Sequence, residues 1–215
     1  MDPKLLHPYL LPERLERLKK VLAGRVLSVT LVLENLHKDF NISAILRTCE
    51  SFGIQDVHVI PQPGEGKVFR TITQGCHKWL TIHRHEDVPT CFKILKEKGF
   101  RILAGAFGEN ARTLEQSDFS GRVALVFSNE LEGANPEVLD QVDDFFHIPM
   151  SGFSQSLNVS VAAGIVIHHA LRYKLEKGEE LERIPSDEAA RVLGEWVKKS
   201  VRNSDEVLKE LRSRK

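Results

Sequence analysis

Cysteine is scarce and does not pair. Cys49, Cys76 and Cys91 are the three in 215 residues, and none sits at CxxC spacing. That predicts a reducing, cytoplasmic setting and argues against a zinc site. Of nine histidines, His83 and His85 share one face of a predicted strand, but no third ligand follows, so no metal is expected. Long apolar runs are missing too. None approaches the roughly 20 residues that a membrane span needs. The opening MDPKLLHPYLLPERLERLKK lacks an uninterrupted apolar core and a small-residue cleavage site, so it does not read as a signal peptide. Excess charge is also absent: 30 basic and 30 acidic residues give +0, whereas a dedicated nucleic-acid binder is more often basic. No GxGxxG follows a first strand. Gly105-x-x-Gly108 is too short for that fingerprint, and Gly64-x-Gly66 reads as a turn. There are no internal repeats and no low-complexity tract.

At 41% hydrophobic and 28% charged, the chain reads as globular, with one core or one core plus a small appendage. Its charge is uneven. Residues 1–27 carry Lys4, Arg14, Arg17, Lys19, Lys20 and Arg25 against Asp2, Glu13 and Glu16. The last 25 residues carry eight bases, Lys198, Lys199 and Arg202 among them, against four acids. Residues 115–144 have Arg122 as their one base. Two basic ends could grip a phosphate backbone; taken alone, they read rather as a pair of solvated helix faces.

Pattern gives an alternation of helices and strands. Pro12 to Leu22 is an amphipathic helix with Leu11, Leu15, Leu18 and Leu22 on one stripe. Val26 to Leu33 is a buried strand. Asn41 caps a helix with an apolar face of Ile42, Ile45, Leu46, Cys49 and Phe52, ended by Gly53. Further strands are predicted at Asp56 to Ile60, Trp79 to His83, Phe100 to Ala106, Val123 to Phe127 and Asp144 to Ile148. PQPGEG is a loop after the second strand, and Phe69 to Gly75 is ambiguous. Helices fall at Val88 to Lys98 and from Pro136, and a terminal helix contains Trp196. Such alternation predicts an α/β fold with a mainly parallel sheet. Expected domains are a helical extension at 1–25, a core at 26–178 and a second helical extension at 179–215.

The stretch that organises the chain is 147–171, HIPMSGFSQSLNVSVAAGIVIHHAL. Pro149 cannot donate to a sheet ladder, so the chain leaves the sheet there. A small polar loop follows. From Leu157 the spacing turns helical, with Val161, Gly164, Ile165 and His168 at i+4, i+7, i+8 and i+11. Ser156 is the best cap candidate. Asn158 and Ser160 sit in the first turn, where free N–H groups attract anions. Ser160, Ala162, Ala163 and Gly164 offer a face for close helix packing.

IPMSGFSQSLNVSVAAGI resembles the third motif of the SpoU-type (TrmH-like) RNA 2′-O-ribose methyltransferases of the SPOUT superfamily. NISAILRTCESFG, from Asn41 to Gly53, resembles the first, an Asn followed six residues later by Arg47. LVFSNELEG, from Leu125 to Gly133, resembles the second, with Glu130 and Gly133. This second motif departs slightly, in having Ser128 or its neighbour Asn129 where the family commonly has Gly. LENLHKDFN and GCHKWL resemble the tRNA-directed branch. The three matches are in order and are spread over half the chain, which makes them far more specific together than singly.

The resemblance implies a deep C-terminal trefoil knot, a homodimer formed through the knot, S-adenosylmethionine as methyl donor and tRNA as partner, with no membrane and no metal. It implies methylation of the ribose 2′-hydroxyl of the D-loop guanosine at tRNA position 18. The alternatives are the same chemistry on ribosomal RNA and a non-catalytic RNA-binding protein of the same fold. Carried over position by position, Arg47 activates the hydroxyl, Asn41 holds Arg47 or a phosphate, Glu130 positions the loop or Asn41, and Ser156 and Asn158 hold the Arg or the RNA. Gly105, Phe127, Ile148, Met150 and Leu157 are the expected cofactor-binding residues, an apolar, small-residue set suited to an adenine. Without the resemblance, Arg47 reads as an exposed helix residue, Asn41 as a cap and Glu130 as a surface acid. Arginine keeps its proton in proteins, so Arg47 is expected to stabilise an alkoxide electrostatically rather than to act alone as a base.

Overall fold

In the computed structural model, the structure describes residues 3–61, 76–105, 111–129 and 133–213. The predicted PQPGEG loop beyond Pro61, the ambiguous stretch 69–75, Ala106 and Glu130 lie outside them. The chain separates into two compact units, Leu27–Glu182 and the two ends together, Met1–Val26 with Arg183–Lys215.

The terminal unit begins with a 3-10 turn, Pro3–Tyr9, and helix α1, Pro12–Ala23. Leu18 and Leu22 of α1 are buried, but Leu11 is exposed, because the helix starts after it. The C-terminal half of the unit is described after the larger one.

In the larger unit the elements run β1 (Val29–Glu34), α2 (Asp39–Ser51), β2 (Asp56–Ile60), β3 (Thr81–Arg84), α3 (Val88–Glu97), β4 (Arg101–Gly105), β5 (Arg112–Thr113), β6 (Val123–Phe127), α4 (Pro136–Gln141), β7 (Asp144–His147) and α5 (Val159–Glu176). The seven strands form one sheet in the order β3-β2-β1-β6-β4-β7-β5, and every ladder is parallel. Parallel strands need both faces covered, which is why VTLVLE and VALVF are buried at every position. Val32, Ile102, Ala104, Ala124 and Val126 pack on one face with Val88, Phe92, Leu95 and Val138 of α3 and α4. By strand alternation Leu31, Leu33, Leu103 and Leu125 point the other way. All four are buried, as are Ile42, Ile45 and Cys49 of α2 and Ala163, Val166, Ile167 and Ala170 of α5.

Several expectations shift. The strand expected from Trp79 begins at Thr81, because Cys76–Trp79 forms a 3-10 turn. Asn41 does not cap α2. The helix begins two residues earlier at Asp39, an acid suited to the positive helix end, and Lys38 occupies the cap position. Ser156 does not cap α5. Asn158 does, its Oδ1 accepting from the Ser160 backbone N–H at 2.9 Å. The positions Val161, Ile165 and His168, read as helical from their spacing, lie on the exposed face of α5.

Two helices complete the terminal unit, α6 (Ser186–Ser200) and α7 (Ser204–Ser213). The single expected helix breaks at Asn203, which takes the left-handed conformation at φ 53° that Asn tolerates. Trp196 is buried and its ring carries the Arg25 guanidinium 5.0 Å from the centroid. Arg25 is fully buried, so this member of the basic N-terminal set is a core cation rather than a phosphate contact. Arg191 is also partly neutralised, pairing with Glu195 at 2.7 Å.

Candidate active site

The sheet's strand order places β6 beside β4 and β4 beside β7, all parallel, so their carboxyl ends open on one edge. Open α/β sheets bind ligands in crevices at such edges, where the strand order reverses. Here Gly105 ends β4, Phe127 ends β6, and Ile148 follows β7. They line a cleft of about 570 Å³ together with Ser128, Asn129, Met150, Ser156 and Leu157, and α5 closes it with Val159, Ala162 and Val166. Gly105, Phe127, Ile148, Met150 and Leu157, from three separate stretches of the chain, therefore share one cavity. Its described lining includes no Asp, Glu, Lys or Arg. The walls are apolar with backbone groups at the strand ends, a chemistry that suits a flat heteroaromatic ring recognised by backbone donors and acceptors.

The polar pair beside the cleft is Asn41 and Asn158. Asn158 Nδ2 donates to Asn41 Oδ1 at 3.0 Å, while Asn158 Oδ1 accepts from the Ser160 N–H and, at 2.6 Å, from Ser160 Oγ. Asn41 is only 2% exposed although Asn158 is exposed, so losing this part-buried bond leaves a buried acceptor without that donor. The bond is the first rung of a seam. Further along, a Cβ placed on Gly164 would meet Thr48 Cγ2 at 3.9 Å, and Phe52 faces His168 with centroids 6.0 Å apart. Helices α2 and α5 thus run side by side with their N-termini together, and the small-residue face of α5 permits the approach.

Arg47 is exposed on α2. It lies six residues beyond Asn41, about 9 Å along the axis, and next to Thr48 on the flank of the seam. Asn158 gives its amide to Asn41 rather than to Arg47. Ser156 lines the cleft from an exposed loop. Glu130 lies outside the described residues, although its surroundings are framed: Gly133 N–H donates to Asn129 O at 3.0 Å, and Gly133 has φ 73°. The link from Asn129 Nδ2 to the carbonyl of Asn35, 3.2 Å, went unread in the sequence. It ties the end of β6 to the end of β1, and the signal available was an Asn standing where the family commonly has Gly.

An all-parallel sheet with a cleft at the β4–β6–β7 ends, bordered by the Asn41, Arg47 and Asn158 helices, defines a class, and comparison with known proteins agrees. The family described as "SpoU rRNA Methylase family" matches residues 28–168, and the chain belongs to it. Among individual relatives, a tRNA (guanosine(18)-2′-O)-methyltransferase of Thermus thermophilus is 37% identical over 187 residues, 86% of this chain and 96% of that protein. The crystal structure of the Aquifex aeolicus TrmH/SpoU tRNA modifying enzyme superposes with a TM-score of 0.79 at 33% identity, over 89% of this chain and 98% of that one. A 23S rRNA (guanosine-2′-O-)-methyltransferase of Escherichia coli is 31% identical over 147 residues, 67% of this chain but only 60% of that protein.

Proposed function

We propose that the protein transfers the methyl group of S-adenosylmethionine to the ribose 2′-hydroxyl of the D-loop guanosine at position 18 of tRNA. The observation that carries this reading is the cleft. Its five family-matched residues converge on the carboxyl ends of three adjacent strands, beside the Asn41–Asn158 pair. The tRNA-directed relative is matched over nearly its whole length and the ribosomal one over little more than half, which favours tRNA.

The sulfonium donor supplies an activated methyl group, and Gly105, Phe127, Ile148, Met150 and Leu157 would hold it. The chain's own residues do the rest. Arg47 binds the phosphate next to the target ribose and stabilises charge developing on the 2′-oxygen. Asn41, held by Asn158, fixes the helix that presents Arg47. Ser156, at the cleft rim, contacts the RNA. The chain through 147–171 is knotted, and the molecule acts as a homodimer. Support for a dimer comes from the outward face of α5, where Val161 is 51% and Ile165 39% exposed, with Phe52 and Leu175 also exposed. Apolar surface of this kind marks an interaction site. Exposed bases such as Arg17, Lys20 and Arg202 serve the tRNA backbone.

The test is incubation of unmodified tRNA and rRNA transcripts with the protein and S-adenosylmethionine, followed by nucleoside mass spectrometry. 2′-O-Methylguanosine at position 18 is expected; a methyl on a base, or on rRNA alone, would overturn the reading. Arg47→Lys keeps the charge and loses the planar fork, so turnover should fall by about 10²-fold or more with an unchanged melting temperature. Near-normal turnover would remove Arg47 from the mechanism.

A further inference from the structure

The cleft lies at the β4–β6–β7 ends, and the histidine-rich half of the sheet, around β2 and β3, takes no part in it. His58 stands on β2, His85 follows β3 directly, and Cys91 is in the second turn of α3. One ligand atom from each of the three lies within 4.8 Å of the others, and His58 Nδ1 is 2.8 Å from His85 Nε2. We propose that His58, His85 and Cys91 form a binding site for a borderline-soft divalent cation of the Zn²⁺ class, with water as fourth ligand.

The three ligands stand on rigid supports. His58 is fixed by its parallel register with His83. His85 is anchored by its own N–H, which donates to Val59 O at 2.9 Å. Helix α3 is capped by Asp87, whose carboxylate accepts from Thr90 N–H at 2.8 Å. Cys91 packs among Val88, Phe92 and Ile60, a dry shell around the sulfur. Tetrahedral zinc, at about 2.1 Å from N and about 2.3 Å from S, needs ligand atoms about 3.3–3.8 Å apart. The two nitrogens stand closer than that, at 2.8 Å, and no ligand atom is farther than 4.8 Å from another, so side-chain rotation of about 1 Å suffices. The sequence paired His83 with His85 and found no third ligand. The fold instead leaves His83 with Asp56, Nε2 to Oδ1 2.6 Å, and brings His85 to a histidine 27 positions earlier and a cysteine on the next helix.

Protons and charge balance. Both rings are neutral. Burial holds the His58 pKa at about 3, helped by His83, His85 and Lys98, so protons do not compete for its nitrogen near neutral pH. Occupancy moves the shared N–H of the pair to the outer nitrogen of the same ring. The Cys91 thiol, pushed up to about 12 by burial and by Asp87, gives its proton to solvent as the S–metal bond forms. The ion and one thiolate leave a single positive charge. The Asp87 carboxylate, which acts on both His85 and Cys91, offsets it, with Lys98 opposing.

The experiment uses the full chain, stripped with a chelator and titrated with Zn²⁺ against a chromophoric competitor, then with Co²⁺. One ion per chain is expected, with about one proton released and with affinity rising as pH rises. The cobalt form should carry a thiolate-to-metal charge-transfer band and tetrahedral ligand-field absorption. Cys91→Ser and His85→Gln should each weaken zinc binding by about tenfold or more, with unchanged circular dichroism. A cobalt spectrum without the thiolate band overturns the proposal whether or not the variants fold, and so does equal zinc affinity in folded Cys91→Ser. Methyl transfer is not a readout here, so neither result bears on the proposed activity.

Discussion

Replacing Asn158 separates two bonds that share one side chain. Asn158→Ala removes the α5 cap, worth about 1 kcal/mol. It also removes the donor to buried Asn41, worth a further ~1 kcal/mol. The expected loss is therefore about 2 kcal/mol, or about 4–8 °C in melting temperature for a chain of this size. Asn158→Asp is the informative companion. Its carboxylate still accepts from Ser160 N–H and adds negative charge at a helix N-terminus, a gain of about 0.3–1 kcal/mol. It cannot donate to Asn41 Oδ1, however, and places one oxygen against another.

The order of stabilities should be wild type, then Asp, then Ala. The order of methyl-transfer rates should differ: Asp should fall with Ala, because both release Asn41 and with it the helix that carries Arg47. Thermal melts by circular dichroism and single-turnover methylation of a tRNA transcript supply the two series. A double-mutant cycle with Asn41→Ala then isolates the pair, with an expected coupling of about 1 kcal/mol. Coupling below about 0.3 kcal/mol, within additivity error, would refute the claim that this hydrogen bond joins the two helices. An Asp variant with full activity would refute its role in positioning Arg47.

Three further substitutions, at two positions, test the packing of α5 and the charge of a loop carboxylate. At Gly164 a Cβ makes only an ordinary contact with Thr48, 3.9 Å, so Gly164→Ala should raise stability by about 0.5–1 kcal/mol through helix propensity, while Gly164→Leu should lose about 1–3 kcal/mol by forcing α2 away; melts of both decide it. Asp118 accepts from Ser120 N–H at 3.0 Å and Tyr173 OH at 2.9 Å, with Arg101 at 3.1 Å, and its pKa is held down at about 2, first by the Ser120 bonds. A depressed carboxylate stabilises the fold above its unfolded pKa of 3.8 and loses that contribution as pH falls toward 2. Because its side chain is 42% exposed, solvent screening keeps Asp118→Asn to about 0.5–1 kcal/mol at neutral pH, and the gap should close between pH 4 and 2 in urea titrations; a gap constant with pH would contradict the assignment.

The sheet was legible because parallel strands are apolar on both faces. VALVF is a run that neither helix periodicity nor alternation explains, and β6 has the bounds Val123–Phe127 that the run suggested. Strand ends followed from the same signal, which is why the expected cofactor residues could be placed at separate points that the fold gathers into one cleft. Caps were read less well. Ser156 and Asn158 are both good cap residues two positions apart, and only backbone conformation ranks them. Asn41 looked like a cap by type, yet it sits inside the first turn and spends its side chain on α5. The fate of Arg25 depends on Trp196, more than 170 positions later, and no local pattern couples them. The His58–His85 contact is invisible for the same reason: adjacency across parallel strands follows from register, which the hydrophobic pattern alone does not number.

Helix α5 keeps an apolar stripe exposed among the described residues. Its inward side, Ala163, Val166, Ile167 and Ala170, is buried, and its Gly164 side is taken by α2. The third side still presents Val161 and Ile165 to water. An apolar stripe left exposed on a helix otherwise packed against its neighbours marks an interaction surface, and it is here that the proposed second copy would dock. Arg47 flanks the seam that borders this stripe and is exposed with it. On the proposed dimer, the Arg47 guanidinium would not need to reach the cleft of its own chain, because the second copy would bring another.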